Sequence, residues 1–195
     1  EIKGRYVNIE GSGKSGVNSY GHLSITADEI QFINNNVTNW SAALTASTYA
    51  TVNLNASKIS TNDHLKLNGH VTLGESGKTT VVELKDGATF VAGFLKGGDV
   101  KFQYDELEAG KTYFQIYPVF NTQEDQLVTD SVTIEFASSA IDTLSDQEVI
   151  GRLGSAVALR ESMENDSQSY VQTIAYGTTR TIRTDEKGVQ ALVKA

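Results

Sequence analysis

The chain has no cysteine, one proline and one tryptophan among its 195 residues. Without cysteine, no disulfide staples the fold and no thiolate binds a metal or attacks a substrate. That absence fits the cytosol. It also fits bacterial surface proteins that cross an oxidising periplasm unfolded, where disulfides would block export, and the reading leans toward that route. Proline removes a backbone donor, so its scarcity favours a mainly β chain of many paired strands. No apolar run reaches the roughly 18 residues of a membrane-spanning helix. Basic runs are missing too. Sixteen Lys and Arg against 24 Asp and Glu leave a formal charge of −8, which repels phosphate backbones and argues against nucleic acid or an anionic membrane as partner. No initiator methionine or signal peptide is present, and the opening "EIKGRYVNI" already reads as strand. The chain therefore reads as a piece of something longer.

Glycine (17 in all), Asn, Thr and Ser are plentiful, and a phrase recurs. "YGHLSITADEI" (Tyr20 to Ile30) matches "YATVNLNASKI" (Tyr49 to Ile59) at the tyrosine and at the strand-type apolar positions. Leu23/Ile25 thus correspond to Val52/Leu54, and Val82/Leu84 follow at an offset only one longer (82 − 52 against 52 − 23). A short strand with a two-residue apolar face cannot stabilise itself, but stacked strands pair their backbones and share one interior. The spacing predicts a parallel β-helix over residues 1–93, with all three apolar pairs pointing inward. Polar corners such as "INNN" (Ile33 to Asn36) would stack their asparagines. A sandwich with two similar strands is the alternative.

After Gly93 the strands lengthen and gain aromatics, as in "DVKFQYDEL", "KTYFQIYPVF" and "QLVTDSVTIEF". Residues 94–195 are read as a β-rich continuation. Both faces of "KTYFQIYPVF" are partly apolar, so both are expected to be covered. Ser145 with Glu148 forms a capping-box pattern. Val149, Ile150, Leu153, Ala156, Val157 and Met163 follow helical spacing, which predicts a docked helix from about Asp146 to Met163. "YVQTIAYG", "TRTIRT" and "VQALV" return to strand, with "DEKG" as a turn.

The segments "YVNIEGSG", "YGHLSITADEI", "TVNLNASKI" and "LNGHVTLGESGKTTVVELKDGATF" resemble the passenger regions of bacterial autotransporter and adhesin-like proteins. The resemblance covers residues 1–93. It implies a right-handed parallel β-helix, secretion or display at the cell surface, and adhesion to a host-surface protein or glycan. The membrane barrel that such proteins carry C-terminally is not in this sequence.

Candidate chemistry is sparse. In "GSGKSG" (Gly11 to Gly16), Asn8 stands where a P-loop needs its first glycine, and strand rather than helix follows. His22, His64 and His70 have no metal-ligand spacing and read as surface residues. Asp63, Glu75, Glu83 and Asp86 interleave with Lys66, Lys78 and Lys85, and their spacing resolves no stacked pair of carboxylates. No calcium loop appears. Asn36, Asn55 and Asn165 match the glycosylation pattern, which is discounted in a bacterial setting. Trp40 and the tyrosines are candidates for anchoring a carbohydrate or protein, with capping of the interior as the plainer role for Trp40. The sequence thus names no catalytic, cofactor-binding or metal-ligating residue and leaves the binding residues and oligomeric state open. The expectation is a non-catalytic adhesin-like segment. A polysaccharide-degrading β-helix enzyme, which a carboxylate cluster on one face would favour, and a trimeric phage fibre or baseplate segment are the alternatives.

Overall fold

In the repeated phrase, alternation puts Val52 and Leu54 on one side of a strand and Thr51, Asn53 and Asn55 on the other. A computed structural model of the chain describes residues 1–12, 15–34, 42–116, 127–136, 144–158, 171–175, 180–185 and 188–194. Its strands form one 17-stranded sheet, mainly of parallel neighbours stacked in three columns. The first column holds β1 (Ile2–Lys3), β4 (His22–Thr26), β7 (Thr51–Asn55), the second half of β9 (Leu65–Leu73), the middle of β11 (Phe90–Tyr104) and the first part of β13 (Leu127–Phe136). The second holds β2 (Tyr6–Glu10), β5 (Glu29–Ile33), β8 (Lys58–Thr61), β10 (Thr79–Leu84), the ends of β11 and β13, and β15 (Val171–Ala175). The third holds β3 (Val17–Ser19), β6 (Leu44–Ala46), the starts of β9 and β11, β12 (Phe114–Ile116) and β14 (Val157–Ala158). From β1 to β14 the described chain visits the columns in the same order, first, second and third; the next described strand, β15, lies in the second column, and β16 (Arg180–Asp185) and β17 (Gly188–Lys194) join none of the three.

Register confirms the first step of the repeat and corrects the second. Leu23 faces Val52 and Ile25 faces Leu54, at the offset of the repeated phrase. Leu54, however, faces Leu73, a much shorter step (73 − 54 against 54 − 25). Val82 and Leu84 lie in a different column, on Ile59 and Thr61. The reason is that a circuit is three strands plus three corners, and corners change length while strands do not. Ile33 and Leu44, the flanks of one corner, are 11 apart (44 − 33), whereas Thr61 and Leu65, the flanks of the corner stacked on it, are 4 apart (65 − 61). The inward direction is as expected: Ile25, Val52, Leu54, Val82 and Leu84 are buried, and Leu23 is half-buried against the same core.

Two long strands change column without a break because glycine lets them. Gly69 in β9 and Gly93 in β11 sit where a Cβ would collide with backbone oxygens of the circuit below, Ala50 O and Asn68 O respectively. Only glycine allows that approach. The asparagine corner is real: Asn62 Nδ2 donates to Asn34 Oδ1 at 3.1 Å, and Asn34 N donates to Asn62 Oδ1 at 2.9 Å. Asn34 takes a left-handed φ of 53°, which asparagine tolerates. Asn35 and Asn36 lie outside the described residues.

Interior rows run along the columns. Val7, Ile30, Ile59, Val82, Phe102 and Ile134 form one; Leu44, Leu65, Phe90, Phe114 and Val157 form another. Fully burying one such side chain contributes about 1.5–3 kcal/mol. Aromatic rings enter these rows on the circuits of β11 and β12. Phe90, Phe102 and Phe114 meet with centroids 4.7–5.7 Å apart. Tyr104, Tyr113 and Phe136 form a second cluster, and the buried Tyr104 hydroxyl donates to Tyr113 O at 2.9 Å. Tyr113 and Phe114 are both fully buried, so both sides of this strand are covered there; residues 117–120 of the quoted segment lie outside the described residues.

The helix α1 (Asp146–Ala156) fills the corner between β13 and β14. Its capping box is complete: Glu148 N donates to Ser145 Oγ at 3.4 Å and Ser145 N to Glu148 Oε2 at 2.9 Å. Val149, Leu153 and Ala156 are buried, while the side chain of Ile150 lies outside what is described. The helix is shorter than expected, and Val157 does not dock as a helical residue. It takes extended backbone (φ −120°, ψ 119°) and pairs with Phe114, because the edge of β12 offers its backbone a ladder. Gly151 and Gly154 weaken the helix by about 1 kcal/mol each, and β-branched Val157 prefers the strand. Residues 159–163, Met163 included, lie outside the described residues. At the C-terminal end, β15, β16 (Arg180–Asp185) and β17 (Gly188–Lys194) are strands as read, but they pair antiparallel.

Candidate functional site

On the outer face of the second column, register lines up Asn8, Gln31, Ser60, Glu83, Gln103 and Glu135. Beside them run Glu29, Lys58, Val81, Lys101 and Thr133. Glu83 and Glu135 therefore stack two circuits apart with Gln103 between. Sequence spacing missed this pair because the two steps are unequal (103 − 83 against 135 − 103). Glu83, Lys85, Gln103, Asp105 and Glu135 line a groove of about 290 Å³.

Each carboxylate in the row has a cation. Lys58 Nζ lies 3.0 Å and Lys85 Nζ 3.7 Å from Glu83; Lys101 Nζ lies 3.1 Å from Glu135. Ser60 Oγ donates to Glu83 at 3.2 Å and Gln103 Nε2 to Glu135 at 2.8 Å. Partial burial pushes the Glu83 carboxyl up, but the Lys58 hydrogen bond and the charges of Lys58 and Lys85, with Ser60, outweigh it and hold the group below the ordinary carboxylate range. A general acid must keep its proton near neutral pH, so this environment does not suit Glu83 to the general-acid role. The Glu83 hydrogen bond lifts Lys58 above the usual ammonium range despite its desolvation.

The other candidates are dispersed. Glu75 pairs with Lys78 at 2.5 Å and accepts from Asn55 Nδ2 at 2.6 Å. Asp86, at a left-handed φ of 53°, donates its backbone N–H to Asp105 Oδ2 at 2.9 Å. Asp63 caps its own corner, its N–H donating to Thr61 Oγ1 at 2.9 Å. Lys66 points outward from the third column opposite Thr45. The histidines do not converge. His22 is exposed; His70 stacks on Phe94 with ring centroids 4.3 Å apart; His64 Nδ1 accepts from Thr89 N at 3.1 Å. Burial, then repulsion from Lys66 and Lys111, lowers the His64 pKa despite nearby Asp63. Among the described residues no group of three His, Cys, Asp or Glu is placed to hold a metal ion, and no helix is long and apolar enough to cross a membrane. In the "GSGKSG" segment, Ser12 Oγ donates to Ser15 O at 2.8 Å and β3 follows, so no helix N-terminus faces the loop; residues 13 and 14 lie outside the described residues, as do Asn36, Trp40 and Asn165.

Comparison with protein families, with curated proteins and with solved structures finds no match for the chain.

Proposed function

We propose that the chain is a right-handed parallel β-helix segment of a secreted or surface-displayed bacterial protein, of the autotransporter and adhesin passenger kind, and that it binds rather than catalyses. The observation that carries the reading is the parallel register of strands in three columns from β1 to β15, shifted once in β11 and followed by antiparallel pairing at β16 and β17. Stacked circuits make an extended body whose outer faces are regular arrays, and such arrays suit recognition of repetitive surfaces. The ion-paired state of Glu83 and Glu135 supports recognition over acid–base chemistry at that row. Displayed on a bacterial surface, the segment should promote attachment to host cells or matrix glycans; attachment equal to that of cells displaying an unrelated β-domain contradicts the proposal.

One observation favours a second reading, a polysaccharide-degrading enzyme: Glu83, Gln103 and Glu135 share one outward row over a groove, where two carboxylates flank a space. Cleavage of any polysaccharide by the purified chain, abolished by Glu83→Gln or Glu135→Gln, would establish it and overturn the non-catalytic reading.

A further inference from the structure

The repeated phrase begins with a tyrosine each time, and both tyrosines are outside. Tyr20 is 82% and Tyr49 80% exposed, although a large aromatic ring ordinarily gains by burial. They occupy the same corner, between the third and first columns, on adjacent circuits. Backbone pairing fixes that corner on both flanks: Ser47 N donates to Ser19 O at 3.0 Å, and Thr51 N donates to Gly21 O at 2.8 Å. The two tyrosines thus stand at the same corner of adjacent circuits, the second corner being two residues longer (51 − 46 against 22 − 19).

What flanks them on their own two circuits is uncharged. On the first-column side, the outward residues are His22 and Ser24, then Thr51 and Asn53, continued on the next circuit by His70 and Thr72. On the third-column side, Thr45 Oγ1 donates to Asn18 Oδ1. Charged residues border this stretch on both sides: Lys3, beside Thr26, forms an ion pair with Glu1 on the circuit before, Lys66 lies on the circuit of Thr72, and Lys96 follows Thr72. Ser24, Asn53 and Thr72 make no side-chain hydrogen bond among the described residues, so their hydroxyl and amide groups are available to a ligand. The second column, by contrast, carries Glu29, Lys58, Glu83, Lys85, Lys101 and Glu135, with its central carboxylates ion-paired. The second column thus carries an ion-paired row, whereas the tyrosine corner offers aromatic planes beside a row of neutral donors and acceptors.

Each class of partner asks for a different surface. Nucleic acid needs a run of cations, and the lysines bordering this corner, Lys3, Lys66 and Lys96, are scattered among different circuits and form no run. A protein interface needs a desolvated apolar centre, and the outward residues here are hydroxyls, amides and imidazoles around two phenols. An uncharged sugar presents apolar C–H faces, which lie against aromatic rings, and hydroxyls, which need side chains able both to donate and to accept; Ser, Thr and Asn do both. We infer that the corner built by Tyr20 and Tyr49, with the row Ser24, Asn53 and Thr72, binds an uncharged oligosaccharide running along the stack of circuits. The inference rests on the binding role proposed above and assigns it a place and a ligand class.

The test is calorimetric titration of the purified chain with uncharged gluco-, xylo- and N-acetylglucosamine oligomers, alongside a sulfated and a uronic-acid oligomer of similar length. Binding of at least one uncharged oligomer is expected, little changed by raising salt, because no ion pair forms. Tyr20→Ala and Tyr49→Ala should each weaken it by about tenfold, the scale of one lost stacking contact, with unaltered melting temperature. Lys101→Ala on the charged face should leave it unchanged. Absence of binding to every uncharged oligomer, binding confined to the acidic ones, or full affinity in the doubly substituted Tyr20→Ala/Tyr49→Ala chain each overturns the inference. Glycan-independent attachment in the display assay would leave the adhesive role standing while removing this site, so the two failures are distinguishable.

Discussion

The first circuits and the later ones use the same pairing with different interiors. In the third column, Leu44 and Leu65 give way to Phe90 and Phe114. In the second, Phe102 enters between Val82 and Ile134 in the row that Ile30 and Ile59 begin, and Tyr104 and Phe136 follow Phe32, Thr61 and Leu84. The backbone ladder does not register the change. What changes is the nature of the packing: aliphatic rows interlock by volume, whereas rings meet in tilted, stacked and edge-on contacts that leave fewer alternative arrangements. Parallel pairing sets the architecture, and interior chemistry sets how strictly each level is packed.

The largest expected effect follows from that contrast. Phe90→Ala should destabilise by about 3–5 kcal/mol, because the hole opens among rings that cannot close over it, whereas Ile59→Val should cost only about 0.5–1.5 kcal/mol. Chemical denaturation of the two variants measures the difference, and equal losses would erase the distinction. Next come the glycine corners that both regions share. Gly69→Ala drives a methyl into the oxygens of Ala50 and Ser47 and should cost about 1–3 kcal/mol; an unshifted denaturation midpoint would mean that the circuits are not in such close contact there. Smaller again is the cap of α1, which belongs to the aromatic region alone. Ser145→Ala should cost about 1 kcal/mol, seen as a lower melting temperature.

The smallest effect is on pH. His64 has a folded pKa lowered from 6.5, so the unfolded chain binds the proton more readily and the stabilisation is present above pH 6.5. It declines as pH falls from 6.5 through the folded value. His64→Asn should flatten the melting-temperature profile over that interval, and an unchanged slope would show that His64 titrates alike in both states.

Strand positions were legible because alternation is local: Val52 and Leu54 announce their inward side without any neighbour. The capping box was legible for the same reason, since Ser145 and Glu148 lie within one helical turn. Column membership was not, because it depends on corner length. Val82 follows Val52 at nearly the offset that joins Val52 to Leu23 and still belongs to another column. Glu83 meets Gln103 and Glu135 at unequal steps that no fixed period finds. The end of α1 was hidden too, since Val157 is claimed by β12, a partner far away in sequence. The exposed tyrosines were visible as a repeated letter; that they share a corner away from the charged face required the register.

Register is thus the central claim, and the cysteine-free chain makes it directly testable. Parallel neighbours lie about 4.8 Å apart, within the span of a disulfide, about 4.4–6.8 Å between Cα atoms. Under mild oxidation, the double variants Ser24→Cys/Asn53→Cys and Asn53→Cys/Thr72→Cys should cross-link within the chain, since those residues are directly paired. Asn53→Cys/Glu83→Cys, which a constant repeat period would bring together, should stay reduced because β7 and β10 lie in different columns. Efficient cross-linking of that third pair, or failure of the first two in a folded chain, would contradict the three-column arrangement.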